Sequence, residues 1–149
     1  MKHAQAFISA CAEGWQSVLA AERNPDAHVA GTLTTRVVPG TPMRTESRWE
    51  GSLAGDARFT LISLEETDTP GAKVSRYHGD LVLSTPRGDL IGQDHGLWNL
   101  EDGSYVDVYH VTSGTGAYAG ATAVFYLWGK LDPVSGEGPS QYRGLVTTR

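Results

Sequence analysis

From residue 27 onwards, apolar and polar residues alternate along this chain with a period of two. Alternation of this kind predicts β-strands that bury one face. We predict eight strands, near residues 27–37, 45–53, 57–65, 73–84, 90–100, 104–112, 122–131 and 140–148. Pro-Gly, Asp-Gly and other glycine-rich turn signals separate them. The pattern favours an all-β fold, an eight-stranded antiparallel up-and-down β-barrel, because closure leaves no exposed sheet edge; a β-sandwich is the alternative.

Ahead of the strands the apolar period changes to that of a helix. Between Ala4 and Ala21 the apolar side chains fall on one stripe, formed by Phe7, Ile8, Cys11, Trp15, Val18 and Leu19. Asn24-Pro25 ends this segment, because a residue before proline avoids the helical conformation. We therefore predict one domain over residues 1–149, with an N-terminal α-helix within 1–24 and the barrel over 25–149. The stripe is expected to pack on the barrel wall or on a second subunit.

Two predicted hairpins indicate which side chains share a face. Two-residue turns at Arg87-Gly88 and Asp102-Gly103 would pair Trp98 with Asp107. The same register assigns one set to the interior: Tyr77, Gly79, Leu81, Leu83, Gly92, Asp94, Gly96, Trp98, Tyr105, Asp107 and Tyr109. Tyr109 is expected to lie over Gly79 and Gly96, which leave room for its ring. On the other strands we expect the inward residues to be Trp49, Leu53, Phe59, Leu61, Phe125, Leu127, Leu131, Tyr142 and Val146.

On the opposite face, the predicted pairing aligns Asp80, His95 and His110 across three neighbouring strands. An Asp-His-His row of this kind could bind a metal or relay protons. Its spacing matches no metal-binding signature, and cross-strand surface pairs of this kind are common, so an outward-facing row and no metal site are favoured. A slip of one residue in the turns would swap the two faces and make this row the interior candidate site, and the sequence leaves that choice open.

Charge and cysteine content narrow the possible partners. The net charge is -5, the isoelectric point is about 5.4, and no run of Lys or Arg occurs, which argues against nucleic acid as a partner. The single cysteine, Cys11, allows no intramolecular disulfide and fits a reducing, cytoplasmic location. No segment has the length of a membrane span, so no membrane partner is expected.

Inside the predicted lumen, Asp94 and Asp107 are the candidate catalytic groups, because burial raises the pKa of a carboxyl and fits it for proton transfer. Tyr109 is predicted to act with them, and Tyr77 and Tyr142 offer further hydroxyls. The predicted substrate-binding walls are Trp49, Phe59, Tyr77, Trp98, Tyr105, Phe125, Leu127 and Tyr142. The alternatives are an internal Asp–Tyr or Asp–Trp network that only satisfies its own hydrogen bonds, or carboxylates that lie at the rim of the barrel.

A glycine-rich segment near the C-terminus carries a family resemblance. Residues 113–122, SGTGAYAGAT, resemble the GTG-x-[FY]-x-G-A motif of the allene oxide cyclase and dirigent barrel superfamily. Its glycines permit positive φ angles, and Tyr118 with Ala121 would plug one end of the barrel. The resemblance implies an eight-stranded barrel with an apolar cavity open at one end. It also implies that no metal or nucleotide cofactor is needed, and that the protein forms a homo-oligomer, a dimer or a trimer.

Three functions follow from a barrel of this kind. The resemblance favours a cofactor-independent cyclase or isomerase, as in the spirotetronate cyclases, that folds an apolar lipid- or polyketide-derived substrate into one reactive shape. A non-catalytic, lipocalin-like barrel that holds a small apolar molecule is the second. A structural protein with a filled core is the third.

Overall fold

The computed structural model describes residues 27–148. They form eight strands: β1 (Ala27–Val38), β2 (Arg44–Gly51), β3 (Gly55–Glu66), β4 (Val74–Thr85), β5 (Gly88–Asn99), β6 (Ser104–Gly114), β7 (Thr122–Lys130) and β8 (Glu137–Thr147). One 3-10 turn, Gly116–Tyr118, lies between β6 and β7. The predicted N-terminal helix lies outside the described residues. Within residues 27–148, no helix is long and apolar enough to cross a membrane.

Each strand pairs antiparallel with the next, and β8 pairs with β1, so the sheet closes into a barrel. The predicted closed barrel is confirmed and the β-sandwich is excluded. Every strand starts and ends within three residues of its predicted limits. The largest difference is at β8, which begins at Glu137 and includes Pro139. At Pro139, β8 pairs only with β1, because its pairing with β7 begins at Ser140. The N–H that proline lacks is therefore not needed for hydrogen bonds to β7.

The predicted register of the β4–β5 and β5–β6 hairpins is wrong by two residues. Trp98 lies opposite Tyr105, and Gly96 lies opposite Asp107. A type I′ turn needs positive φ at both central residues, yet every described residue with positive φ is a glycine. Pro86-Arg87 therefore forms the first turn, and a four-residue loop, 100–103, forms the second.

A slip of two residues keeps every side chain on its predicted face, since side chains alternate with a period of two. The interior prediction is accordingly confirmed: Leu81, Leu83, Asp94, Asp107 and Tyr109 are buried. The inward positions on the other strands are buried too, and Leu61 packs against the core as a half-buried residue.

The slip does change which rings lie over which glycines. A side chain at Gly79 would collide with the Phe59 ring, and one at Gly96 would collide with the Tyr77 ring. Tyr109 instead lies opposite Asp94, so its predicted position over both glycines is wrong. Aromatic rings still fill the spaces that glycines leave, as strongly coiled barrel strands require.

The glycine-rich segment closes one end of the barrel. Tyr118 and Ala121 are buried there, as predicted, and the Arg87 guanidinium lies over the Tyr118 ring. The backbone N–H of Thr115 donates to the Asp89 carbonyl at 3.0 Å, which ties the segment to the β4–β5 turn. This is the closed end, where β1 begins and β8 ends. Any cavity must therefore open at the opposite end.

Candidate functional site

A cavity of about 70 Å³ lies inside the barrel, between the packed core and the open end. Leu64, which is 44% exposed, lines the mouth together with half-buried Met43 and Trp98. The remaining walls are mostly apolar: Leu33, Thr35, Thr45, Ser47, Trp49, Phe59, Leu61, Tyr77, Leu81, Asp94, Tyr105, Asp107, Leu127 and Leu131. No Lys, Arg or His is among the described residues that line it.

Two carboxyl groups, the carboxyl pair Asp94 and Asp107, lie on one wall of this cavity. Their side chains are 5% and 4% exposed, on neighbouring strands β5 and β6. Asp107 lies opposite Gly96 and Asp94 opposite Tyr109, so the two carboxyls are diagonal neighbours on the inner face. The predicted candidate carboxylates therefore meet inside the lumen.

Tyr77 completes a chain of three polar groups. Its Oη donates a hydrogen bond to Oδ2 of Asp107 at 2.7 Å, across the intervening strand β5. Gly96 makes this contact possible, because a Cβ there would lie 2.5 Å from the Tyr77 hydroxyl and 2.6 Å from the Asp107 Cβ. Tyr77 is thus a fixed donor to one member of the carboxyl pair.

Burial sets the protonation of the carboxyl pair. Desolvation raises the pKa of Asp107 to about 7, and the hydrogen bonds from Tyr77 and Asp94 oppose that rise. The pKa of Asp94 is raised well above its ordinary value, first by desolvation, then by the negative charge of Asp107 and by the hydrogen bond to it. The carboxyl pair therefore keeps a proton at neutral pH, and that proton belongs to the two groups together.

Hydrogen bonding also indicates a proton on the carboxyl pair. Oδ1 of Asp94 and Oδ1 of Asp107 are buried, and no hydrogen-bond donor in the described residues reaches either atom. Two ionised carboxylates cannot hydrogen-bond each other, whereas a protonated carboxyl donates to an ionised one. One proton shared by the pair therefore lowers the cost of burying both groups.

The wall across the lumen carries three hydroxyl groups besides the indole N–H of Trp49. Strands β1 and β2 lie four positions from β5 and β6 in the closed barrel, and they present Thr35, Thr45 and Ser47 to the cavity. The Thr35 and Ser47 hydroxyls hydrogen-bond each other at 2.8 Å. These three residues were not among the predicted site residues. The sequence did contain a signal for them. The inward-facing residues of β1 and β2 have odd numbers, and so do these three residues.

Trp49, a predicted wall residue, lines the cavity and contributes an unusual donor. It is 1% exposed, and its Nε1 has no acceptor within the described part of the chain. The Phe125 ring lies edge-on to the indole at 5.8 Å and the Tyr142 ring lies at 4.4 Å. These rings hold the indole in place.

The other predicted wall residues divide into two groups. Phe59, Tyr77, Trp98, Tyr105 and Leu127 line the cavity. Phe125 and Tyr142 do not line it; they are fully buried in the core below it. The Tyr142 hydroxyl accepts from the Leu53 N–H at 2.9 Å and faces the Leu53 carbonyl at 3.0 Å, so it anchors the β2–β3 connection.

Tyr109, predicted to be catalytic, is placed away from the cavity. It is fully buried, and its hydroxyl donates to the Leu90 carbonyl at 2.6 Å. The ring stacks on Phe125 at 5.4 Å. Its hydroxyl already has a backbone acceptor, so we assign Tyr109 to the core. Tyr77 takes the place beside the carboxyl pair that the prediction gave to Tyr109.

The outer-face row is also rearranged by the two-residue slip. Asp80 lies opposite Gln93, and Gln93 lies opposite His110, while His95 lies opposite His78. The predicted alignment of Asp80, His95 and His110 is therefore wrong, although the three residues are exposed as predicted. No group of three His, Cys, Asp or Glu residues within 27–148 is arranged to hold a metal ion.

Comparison with known proteins adds little to this description. No protein-family model and no curated protein matches the sequence. Among solved structures, the chain is similar to the pterocarpan synthase dirigent protein, at 12% identity and a TM-score of 0.33, over 80% of this chain and 88% of that one. The barrel topology rests on the strand pairing of this chain, and membership of the superfamily stays a prediction from residues 113–122.

Proposed function

We propose that this barrel binds a small apolar molecule through its open end and rearranges it by proton transfer from the carboxyl pair. The observation that carries the proposal is the pairing of Asp94 and Asp107 in an apolar cavity. Burying two carboxyls is costly, and a protein built only for stability gains more from apolar side chains there. A cost of this kind at a cavity wall is typical of functional sites.

The two members of the pair have different roles in this proposal. Asp94 carries the proton, donates a hydrogen bond to an oxygen of the bound molecule as negative charge develops on it, and keeps its proton. Ionised Asp107, held by Tyr77, accepts a proton from a neighbouring carbon. In an isomerisation Asp107 returns this proton to a different carbon as the double bond shifts. In a cyclisation the carbon that lost the proton bonds to an electrophilic carbon of the same molecule, whose C=C or epoxide C–O bond breaks and takes up the proton. No net proton is gained or lost, and the product is an isomer of the substrate in both cases. The reaction class is the predicted cofactor-independent cyclase or isomerase.

Cavity size restricts how the molecule binds. A volume of about 70 Å³ is well below the roughly 300–1,000 Å³ of a pocket that encloses a drug-sized ligand. We therefore place only the reacting part of a lipid- or polyketide-derived substrate beside the carboxyl pair. The rest of the molecule extends through the mouth, past Leu64 and Trp98.

The test is a panel of small apolar ketones, unsaturated ketones and epoxides incubated with the full-length protein. Products are identified by gas chromatography with mass spectrometry, and binding is followed by quenching of tryptophan fluorescence. We expect rearrangement of at least one compound that is lost in Asp107→Asn, with no lower melting temperature. Asp80→Asn is the matched control, because that carboxylate is exposed on the outer face, and it should keep the activity.

Two results count against catalysis. Binding of panel compounds without rearrangement would favour the second candidate, a lipocalin-like barrel that only holds a small molecule. Joint loss of activity and folding in Asp107→Asn would mean that the carboxyl pair is a structural network. The predicted homo-oligomer and cytoplasmic location remain part of the proposal, and sedimentation and fractionation of the native protein test them.

A further inference from the structure

The outside of the barrel carries an extended apolar surface on one side. We call it the outer apolar face; it consists of Leu97, Val106, Val108, Val124, Tyr126, Trp128 and Leu145. Five of the seven are between 36% and 57% exposed. They are direct cross-strand neighbours, since Val106 lies opposite both Leu97 and Trp128, Val108 opposite Tyr126, and Val124 opposite Leu145. The face is therefore continuous across β5, β6, β7 and β8.

The other side of the barrel shows what a solvated wall looks like in this molecule. The outward positions of β1, β2 and β3 carry many charged side chains, among which Arg36 forms an ion pair with Glu46 and Arg48 forms one with Asp56. A continuous apolar surface beside such a charged one is typical of a surface that is covered in the native protein. The covering element must be apolar and as wide as several strands.

We propose that residues 4–21 of this same chain cover the outer apolar face, packing on it as an amphipathic helix. Where the chain enters the barrel supports this choice. Strand β1 begins at Ala27, which lies opposite Val146 on β8, next to Leu145 of the face. The N-terminal segment is thus attached at the border of the surface that needs cover.

Length and pattern fit the same arrangement. Residues 22–26 span up to about 17 Å when extended, and the middle of the face, on β7, is two strands or about 10 Å from β1. A helix of eighteen residues is about 27 Å long, enough to cross the roughly 14 Å between β5 and β8 at a slant. Its apolar stripe, Phe7, Ile8, Cys11, Trp15, Val18 and Leu19, supplies side chains to pack on the face.

Cys11 provides a direct reporter, because it is the only cysteine and belongs to the stripe. We would measure its rate of reaction with N-ethylmaleimide in the full-length protein and in the protein unfolded by guanidinium. If the stripe is packed on the face, the thiol should react at least about tenfold more slowly in the native protein. Val106→Asp with Tyr126→Asp should restore fast reaction. Ile62→Asp, at an equally exposed apolar residue on β3, should not.

A second pair of variants tests the segment itself. Phe7→Asp with Trp15→Asp should uncover the face and increase binding of the dye anilinonaphthalene sulfonate. Ser9→Asp with Ser17→Asp adds the same charge at the same spacing on the other side of the helix, and it should leave dye binding unchanged.

Three outcomes would overturn the proposal. One is a Cys11 thiol that reacts as fast in the native protein as in the unfolded chain. Another is protection that Val106→Asp with Tyr126→Asp leaves intact. The third is protection that disappears on dilution together with a halved sedimenting mass, which would show that a second copy of the chain covers the face. None of these outcomes bears on the carboxyl pair, so this proposal and the proposed function fail independently.

Discussion

At the scale of single residues, the most unusual feature of the lumen is a pair of buried carboxyl groups that share a proton. Asp94 and Asp107 are buried in a mostly apolar wall, and the Tyr77 hydroxyl is a fixed donor to Asp107. Both pKa values are raised because water cannot stabilise the charges there. In the unfolded chain each carboxyl returns to its ordinary pKa near 3.9. The pair therefore links folding to pH in a direction opposite to that of ordinary surface carboxylates.

The pH dependence of stability follows from this linkage. Between about pH 4 and 7 the folded state holds protons that the unfolded chain has released, so the free energy of unfolding should fall as pH rises. Asp94→Asn removes one ionisable member and keeps the shape of the acid. At pH 8 we expect its free energy of unfolding to exceed that of the wild-type protein, by a difference that disappears below about pH 4, where both carboxyls are protonated in the unfolded chain as well.

Urea unfolding at pH 4, 6 and 8 measures this difference. Asp80→Asn again serves as the control, since it removes an exposed carboxylate of the outer face and leaves the carboxyl pair intact. A parallel pH dependence in the native protein and in Asp94→Asn would show that the carboxyl pair does not titrate as described.

The identity of the carboxyl pair was predictable from the sequence, but which of the candidate tyrosines is its hydroxyl partner was not. Inward alternation on β5 and β6 placed Asp94 and Asp107 in the lumen, and the two-residue error in register left them there because side chains alternate with a period of two. The choice between Tyr77 and Tyr109 depends on the register, because a shift of two residues moves each ring by one inward position. Tyr77 lies opposite Gly96, and this gives it access to Asp107.

At the scale of elements, the hairpin loops set that register, and their amino-acid composition led to the wrong turns being predicted. Asp102-Gly103 has the composition of a two-residue turn, yet Asp102 accepts from the Ser104 N–H at 2.8 Å and stays out of the positive-φ region. Leu100 donates its N–H to the Lys73 carbonyl of a neighbouring loop at 2.8 Å. Such contacts between loops favour a four-residue connection, and no local pattern reports them.

Glycines in the segment that plugs the closed end permit a matched experiment. Gly116 and Gly120 both have positive φ, but only Gly116 is crowded, with a hypothetical Cβ 2.5 Å from the Arg87 carbonyl oxygen. Gly120→Ala should cost about 1 kcal/mol, the usual price of positive φ for alanine. Gly116→Ala adds a backbone collision and should cost about 3 kcal/mol.

Equilibrium urea unfolding distinguishes these two variants. Gly120→Ala serves as the internal control for backbone strain, so the difference between the variants isolates the packing of the plug on the β4–β5 turn. Equal losses would mean that this packing contributes nothing to stability.

At the scale of the whole molecule, the barrel has two different halves. The closed end is filled by Trp49, Phe125, Tyr142 and the plug residue Tyr118, all buried. The other end keeps a small cavity with the carboxyl pair on its wall. The sequence predicted the closure and the inward faces, since both depend on alternation and turn spacing. It could not predict the division into a filled and an open half, which depends on how ring volumes pack across the lumen.

The proposed function depends most on the proton that the carboxyl pair holds at neutral pH. Carbon-13 NMR of aspartate-labelled protein follows each carboxyl directly between pH 3 and 9, with Asp94→Asn and Asp107→Asn to assign the two signals. We expect the two carboxyls to titrate in coupled steps above the ordinary range of aspartate. Two carboxyls that both ionise near pH 4 would contradict the shared proton and the function proposed from it.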